Sequence, residues 1–524
     1  MENESVLQKQ IIKNENTDNQ NIEVQRTEQR PTIIKEDTKE TKCMKNQYPF
    51  FVVSAIVYAI FYTFCLYKNA SGITAPFFIA GTFLYLFFGM KKMEISMKKT
   101  SIFYMVALML LGFSLMLTDD TRIIVMNYIG ILLLLLLFVF HQFYQDKDWG
   151  FGKYSAVTGD FLIEILAALG APFSYAKYYA EKNKKEKENT IFRKNITYIL
   201  IGIGICIPLF IVVLALLISA DRIFGDYFIK LVRGIVIPEN LFGTIFLSIF
   251  IFFLAFCSFA AIAKRTIKEE VVNKRTQEPL IAITFTSIMT VLYLLFCAIQ
   301  IAGLFLGELS LPEGYTYAAY AREGFFQLLA VCIINLALVL ACLAYFKEHI
   351  ILRILLTLIS LCTYIMVASS TYRMLLYIKV YQLTFLRIFV LWSLLVIAVL
   401  MGGIIISIYR KSFPVFRYAV VIITVFYIGF AYSHPDYFIA RENIRAMYTE
   451  DNYKDMYYLT SLSADAAPIM VEYANNKNLV KSEEQMTSLN YFFEKIQKKT
   501  DKISIRSFNV SRFIAKNGVN QSLK

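Results

Sequence analysis

Three histidines, two tryptophans and eleven prolines are few for a chain of 524 residues, and only 18% of it is charged. His141, His349 and His434 lie far apart in sequence. The charge pattern below puts the first two on one side of a membrane and the third on the other, so a shared metal site is not expected. Of eight cysteines none forms a CxxC pair, seven fall in apolar segments or tail regions before Tyr432 alongside Cys43, and none follows it. This spacing excludes a disulfide framework and a zinc ribbon. No Walker loop, HExxH, GxSxG or GxGxxG stands ahead of a helix, which removes the usual supports for ATP-driven pumping and for haem or zinc chemistry. No cofactor and no metal are expected. A row of mid-span acids, which proton-coupled transport favours, is also missing. The first 46 residues are polar and the first apolar run is already full length, so no cleavable signal peptide is expected.

What the chain has is apolar length. Hydrophobic residues make up 57% of it, aromatics 15%, and the mean hydropathy is +0.52. A bilayer core about 30 Å thick needs roughly 20 apolar residues per crossing. Runs of that size are expected at 50–66, 73–88, 102–117, 123–140, 196–220, 241–263, 280–306, 325–346, 350–369, 385–408 and 415–432. The expected fold class is therefore all-α, a polytopic transmembrane bundle of eleven spans. Residues 1–46 read as a disordered tail, too poor in apolar side chains to repay their ordering. Residues 47–432 form the membrane domain. Residues 433–524 turn abruptly polar and read as a small, mostly helical domain with helices near 436–448, 453–462, 466–474 and 490–498. Ser463 or Asp465 is a candidate cap for the third of these, and 503–513 reads as a strand-like or extended tail.

Charge orients the spans. Lys and Arg cluster in alternate connections: 27 lie in one set, which includes Lys91, Lys92, Lys98, Lys99, Lys264, Arg275, Arg353 and Lys411, and 8 in the other. The positive-inside rule places the richer set in the cytoplasm. The N-terminus is then inside, the C-terminal domain extracytoplasmic, and the location a cell membrane crossed many times. The net charge of +13 belongs to these connections and to anionic headgroups, so the lipid bilayer is an expected partner and nucleic acid is not. Residues 160–173 are apolar, contain Glu164 and are too short to cross. A helix lying at the cytoplasmic interface is expected, with a re-entrant segment as the alternative.

The unusual polar motifs gather at the expected outer side. Residues 312–325 hold Tyr315, Tyr317, Tyr320 and Arg322. The next motif, 372–387, holds Arg373, Lys379 and Arg387. The third, 434–445, holds Asp436, Arg441 and Asn443. Interfacial aromatics and snorkelling arginines are ordinary membrane anchors. The alternative is one outer network of Arg322, Arg373, Arg387, Asp436, Arg441 and Asn443 that meets a ligand or glues the C-terminal domain to the bundle. For Arg387 the candidate carboxylates are Glu313, Glu323, Asp436 and Asp465. Gln300 and Asn335 are the notable amides inside spans, where such groups usually bond helix to helix.

These motifs resemble a bacterial family of polytopic membrane proteins, domain of unknown function forty-one seventy-three, related to forty-one fifty-three. The resembling pieces are 218–224, 317–325, 372–377 with 383–387, 436–444 and 462–468, within a stretch from about 195 to 513. His434 stands where the family pattern leads one to expect an asparagine-like residue before the aspartate. The resemblance implies the architecture and no activity. The leading expectation is a non-enzymatic membrane protein that binds an extracytoplasmic ligand or envelope protein, in sensing or transport. The rival is an enzyme resembling the multi-span glycosyltransferases that use polyprenyl-phosphate sugars. Asp119, Asp120 or Asp221 would then be the base and Arg322 or Arg373 the phosphate contact.

Overall fold

The computed structural model describes residues 37–184, 240–267, 269–270, 275–302, 324–447, 456–476, 482–501 and 503–522, with Val213, Leu217 and Asp221. The fifth expected span, 196–220, and the 312–323 motif with Arg322 lie outside the described residues. The other ten expected spans are each a helix long and apolar enough to cross a membrane.

A short helix α1 (Lys39–Asn46) leads into α2 (Tyr48–Leu66), α3 (Thr74–Lys92), α4 (Ile102–Leu117) and α5 (Thr121–Phe143). Next come α6 (Phe151–Ala167), α7 (Ala171–Lys184), α8 (Leu241–Ala263), α9 (Pro279–Gln300) and α10 (Phe325–Tyr345). The last spans are α11 (Ile350–Tyr381), α12 (Phe385–Tyr409) and α13 (Val415–Tyr432). Apolar composition makes these helices, because in lipid only intrahelical bonds satisfy the backbone. Their outward side chains stay apolar: Val57 is 61% and Phe246 73% exposed in the bare protein, which suits contact with lipid tails.

The bundle has two cores. One gathers α1–α8 around Phe138, Phe140, Phe256 and Phe259; the other gathers α9–α12 around Cys332, Val339, Ile359 and Met401. Helix α13 joins them, packing on α12 and on α4 and α5. Buried amides sew helices together, with Asn127 Nδ2 donating to Ser114 Oγ (3.0 Å) and Asn335 Nδ2 to Thr363 Oγ1 (3.0 Å).

Three expectations change. Residues 39–46 are helical, not part of a structureless tail: Thr38 caps the helix and Met44 is fully buried beneath α7 and α8. The span expected at 350–369 continues to Tyr381, since no Gly or Pro interrupts it, and stops where Gln382 takes a φ of 63°. At 1.5 Å per residue it is about 48 Å long, so its last turns rise beyond the bilayer. Residues 160–173 form the elbow of a helical pair, α6 and α7, bent by 55°. Tyr154 at its start bonds Asp146, Lys182 at its end bonds Asn46, and the elbow lies at Cys257, whose Sγ is 3.2 Å from the Ala168 carbonyl. Both ends thus contact the same end of the bundle. The elbow sits only about 9 Å along α8 from its terminus.

Beyond Ser433 the chain forms α14 (Pro435–Met447), α15 (Met456–Ser461), α16 (Ala467–Asn475), α17 (Glu483–Thr500) and α18 (Val510–Ser522). They share a core of Ile439, Leu459, Met470, Leu489, Phe492 and Val519. Helix α17 starts seven residues earlier than expected because Ser482 and Gln485 form a reciprocal capping box. The expected strand at 503–513 is instead an extended approach followed by helix, since Ser511, Ala515 and Val519 at i, i+4 spacing bury one face. No strand occurs among the described residues.

The extended approach lies against the connection between α2 and α3. The Ile73 N–H donates to the Phe508 carbonyl (2.8 Å), and Asn69 Nδ2 to the Arg506 carbonyl (3.2 Å). Gly72 has a φ of 150°, and a Cβ there would stand 3.0 Å from the Arg506 carbonyl oxygen. Gly72→Ala is expected to cost about 1–3 kcal/mol through strain and crowding. Thermal unfolding in detergent, with limited proteolysis of the C-terminal helices, checks this.

Candidate functional site

The C-terminal helices stand on one end of the bundle, and the contact is charged. Three residues, Thr118, Asp119 and Asp120, connect α4 to α5. Asp120 caps α5 by accepting the Arg122 N–H (2.9 Å) and also holds the Arg122 guanidinium at 2.9 Å through both carboxylate oxygens. The same guanidinium reaches Asp436, the first acidic residue of α14, and lies 4.0 Å over the Phe385 ring. Asp436 turns its other oxygen to the Ser463 N–H (2.8 Å).

Asp119 is enclosed. It accepts from Lys499 Nζ and Arg512 Nε, each at 2.6 Å, and Arg512 also donates to Ser71 Oγ (3.0 Å). Asp465 lies alongside. It accepts from the Thr118 hydroxyl (2.6 Å), the Asp119 N–H (2.8 Å), the Ser511 hydroxyl and His434 Nδ1 (3.1 Å). The side chains of Asp119, Asp120, Asp436 and Asp465 are all essentially buried. Neither Asp465 nor Ser463 caps α16; Asp465 faces the bundle instead. Asn509 donates to the Thr118 carbonyl (2.9 Å) and completes the seam.

Each group responds to its surroundings. Burial, joined by the nearby Asp120 charge, raises the Asp436 carboxyl above the ordinary aspartate range despite Arg122 and Ser463. Burial would also raise Asp465, but its hydrogen bonds from His434, Ser511, Thr118 and the Asp119 amide hold it below that range. The bond to Asp465 raises His434, against burial. Burial lowers Lys495, whose ammonium donates to the carbonyls of Thr460 (3.0 Å) and Leu462 (2.9 Å) at the end of α15.

The six residues expected to share one network are divided. Asp436 and Asn443 lie on the seam. Asn443 clamps the backbone of Leu383 from both sides, at 2.9 Å each. Arg373 is buried and donates to Gln300 Oε1 (3.1 Å), which also accepts from Ser369 (2.7 Å). Arg387 donates to the carbonyls of Tyr381 and Gln382 and stacks 4.3 Å from the Tyr377 ring, closing the end of α11 with no carboxylate partner among the described residues. Arg441 pairs with its neighbour Glu442 (2.9 Å) at an exposed position. Arg322 lies outside the described residues. The partners that sequence reasoning left out of the network are Asp119, Asp120, Arg122, His434, Asp465, Lys499, Ser511 and Arg512. Two adjacent acids in a three-residue connection were the one visible signal. Among the described residues no three His, Cys, Asp or Glu side chains are arranged to hold a metal ion.

Ten long apolar helices, with a charged seam joining a helical unit to their ends, define the class: an all-α, multi-pass membrane protein. Within that class the chain belongs to the family described as Domain of unknown function (DUF4153), which matches residues 105–473. This is the second of the two related families that the motifs resemble. The match runs from within α4 to within α16, taking in the four seam carboxylates and Arg122; Lys499, Ser511 and Arg512 lie beyond it. No curated protein and no solved structure matches.

Arg512→Gln leaves Asp119 buried with Lys499 as its one remaining cation. A loss of about 2–4 kcal/mol is expected, to be read from unfolding of the full chain in detergent. The seam also has a pH signature. A histidine raised above 6.5 when folded stabilises fully below that value, and the contribution fades as pH rises through the higher folded one. Wild-type protein is therefore expected to melt lower at about pH 8 than at about pH 6. His434→Asn suits the residue's φ of 48° and removes the titrating group, so the slope should flatten. An unchanged slope would assign the pH dependence to other groups.

Proposed function

We propose that this protein is a non-enzymatic receptor of the cell envelope. Its C-terminal helices stand on the extracytoplasmic side, bind a ligand or partner there, and pass the event to the bundle through the charged seam. One observation carries this reading. The C-terminal unit is fixed to the ends of α2–α5 and α11–α13 by buried charge and hydrogen bonds, yet it leaves two large aromatic side chains open. Tyr457 is 86% and Tyr491 63% exposed, and tyrosine is among the residues enriched where partners bind. The Lys/Arg bias supports the orientation, since Lys98, Lys264, Arg275, Lys347, Arg353 and Lys411 lie at the end opposite the seam.

The seam chemistry weighs against Asp119 and Asp120, two of the three candidate bases of the glycosyltransferase-like alternative, Asp221 being the third. A general base needs a free lone pair facing the substrate. Asp119 and Asp120 instead accept from Lys499, Arg512 and Arg122 at 2.6–2.9 Å.

Two measurements test the reading. Tyr457→Cys should react with a membrane-impermeant maleimide on intact cells; reaction only after permeabilisation would reverse the orientation. Tyr457→Glu with Tyr491→Glu should reach wild-type abundance in the membrane and still fail to complement a deletion strain under envelope stress. Full complementation by that double variant would rule out recognition through this face.

A further inference from the structure

At the end of the bundle opposite the seam, cations from three separate segments converge on one carboxylate. Arg275, ahead of α9, reaches Glu348 Oε1 at 3.0 Å, and Lys411, just past α12, reaches the same oxygen at 2.9 Å. Arg353, in the first turn of α11, holds Oε2 at 2.5 Å. Lys347 stands beside them and pairs with Glu278. Among the described residues, four cations thus face two carboxylates. Hydrogen bonding from Lys411 comes first among the effects that hold the Glu348 carboxyl below its ordinary range.

The cluster roofs a cavity of about 20 Å³, room for one water. Its walls below the charges are Cys342, Leu343, Leu352, Leu356 and Ile408. The ends of α10 and α12 and the starts of α9 and α11 meet here, so the charges stand at headgroup depth. Large apolar side chains run outward beside it, among them Ile350, Ile354 and Tyr409. None of the cations is sequestered: Arg275, Arg353 and Lys411 keep about a third or more of their side-chain surface.

We propose that this cation cluster binds the phosphate of an anionic membrane phospholipid, whose acyl chains lie against the exposed apolar side chains Ile350 and Ile354 of α11, and that Glu348 is the internal anion it displaces, since the cavity beneath holds no more than a water. A phosphodiester matches a carboxylate in charge and in its two charged oxygens, so it can take Glu348's place, its two ester oxygens add weaker acceptors, and guanidinium pairs with it in fork geometry. Basic pockets between spans near the membrane surface are suited to anionic headgroups. The source is lipid because the cations stand at headgroup depth beside exposed apolar side chains that face the bilayer, which free phosphate would not contact.

The test uses the full chain in detergent micelles, titrated with phosphatidylglycerol, with phosphatidylcholine and with inorganic phosphate, and read by native mass spectrometry and by the shift in melting temperature. Phosphatidylglycerol should bind at least tenfold more tightly than phosphatidylcholine, and inorganic phosphate at millimolar concentration should not replace it. Arg353→Gln with Lys411→Gln should erase that preference. Glu348→Gln, which removes the competing anion and keeps the side chain's size, should bind phosphatidylglycerol several-fold more tightly than wild type. Equal affinity for the two lipids, or a Glu348→Gln protein that binds no better, overturns the proposal. Equal protection by inorganic phosphate overturns the lipid as its source.

Discussion

A carboxylate taken out of water needs a cation or several hydrogen-bond donors, and at the seam most of these arrive from distant parts of the chain. Asp119 and Asp120 sit in a connection with no room for their own counterions beyond Arg122. Lys499 and Arg512 come from the last two helices, and the donors to Asp465 come from the α4–α5 connection, α18 and the turn before α14. The placement of the C-terminal unit is thereby specified as well as stabilised. A shift of one helical turn would leave Asp119 uncompensated, at a cost of several kcal/mol. An apolar contact would tolerate such slippage far better. The clamp of Asn443 on Leu383 and the bond from the Phe385 N–H to the Tyr458 hydroxyl (3.0 Å) extend the same constraint to α11 and α12.

The bundle beneath is less uniform than its hydropathy suggests. Its two cores meet through α13, and the small fourth cluster of Ile123, Phe430 and Ala431 lies where α5, α12 and α13 come together under the seam. Arg122 and Phe385 stand directly above that cluster. The C-terminal helices thus rest above α13, which among the described helices packs on both cores. At the far end a second buried charge group, Asp146 with His141 (2.8 Å), Tyr154 (2.6 Å) and Arg417 (3.1 Å), ties α13 to α5 and α6. Helix α13 is held by ion pairing at that end and by aromatic packing at the other.

What could be read in the residues follows from how local each cause is. A crossing requires about 20 apolar residues in a row, a local demand, so ten spans stand where hydropathy put them. The extension of α11 past Ser369 was not legible, because Ser370, Thr371 and Arg373 lower the hydropathy while leaving helix formation unharmed. Residues 503–513 read as strand-like or extended because Ile503, Ile505 and Val510 are β-branched; residues 510–513 instead open α18, where contact with α16 and α17 shows why the helix prevails. The seam was the least legible part. Asp436 and Asn443 stood out as polar residues near a span, but their partners lie tens to hundreds of residues away, and no periodicity records such pairings. Arg387 drew attention as an unpaired charge and turned out to satisfy the carbonyls of the preceding helix end.

Asp119 is bound by a residue 393 positions further along the chain. A ribosome adding residues one at a time finishes the bundle well before it makes Arg512. In that interval Asp120 has Arg122, but Asp119 lacks both Lys499 and Arg512 and is left to water. The seam can close only after the last helices emerge. The order of synthesis thus separates biogenesis into two stages, insertion of an open bundle and then its capping, and a chain cut short within α17 would remain at the first.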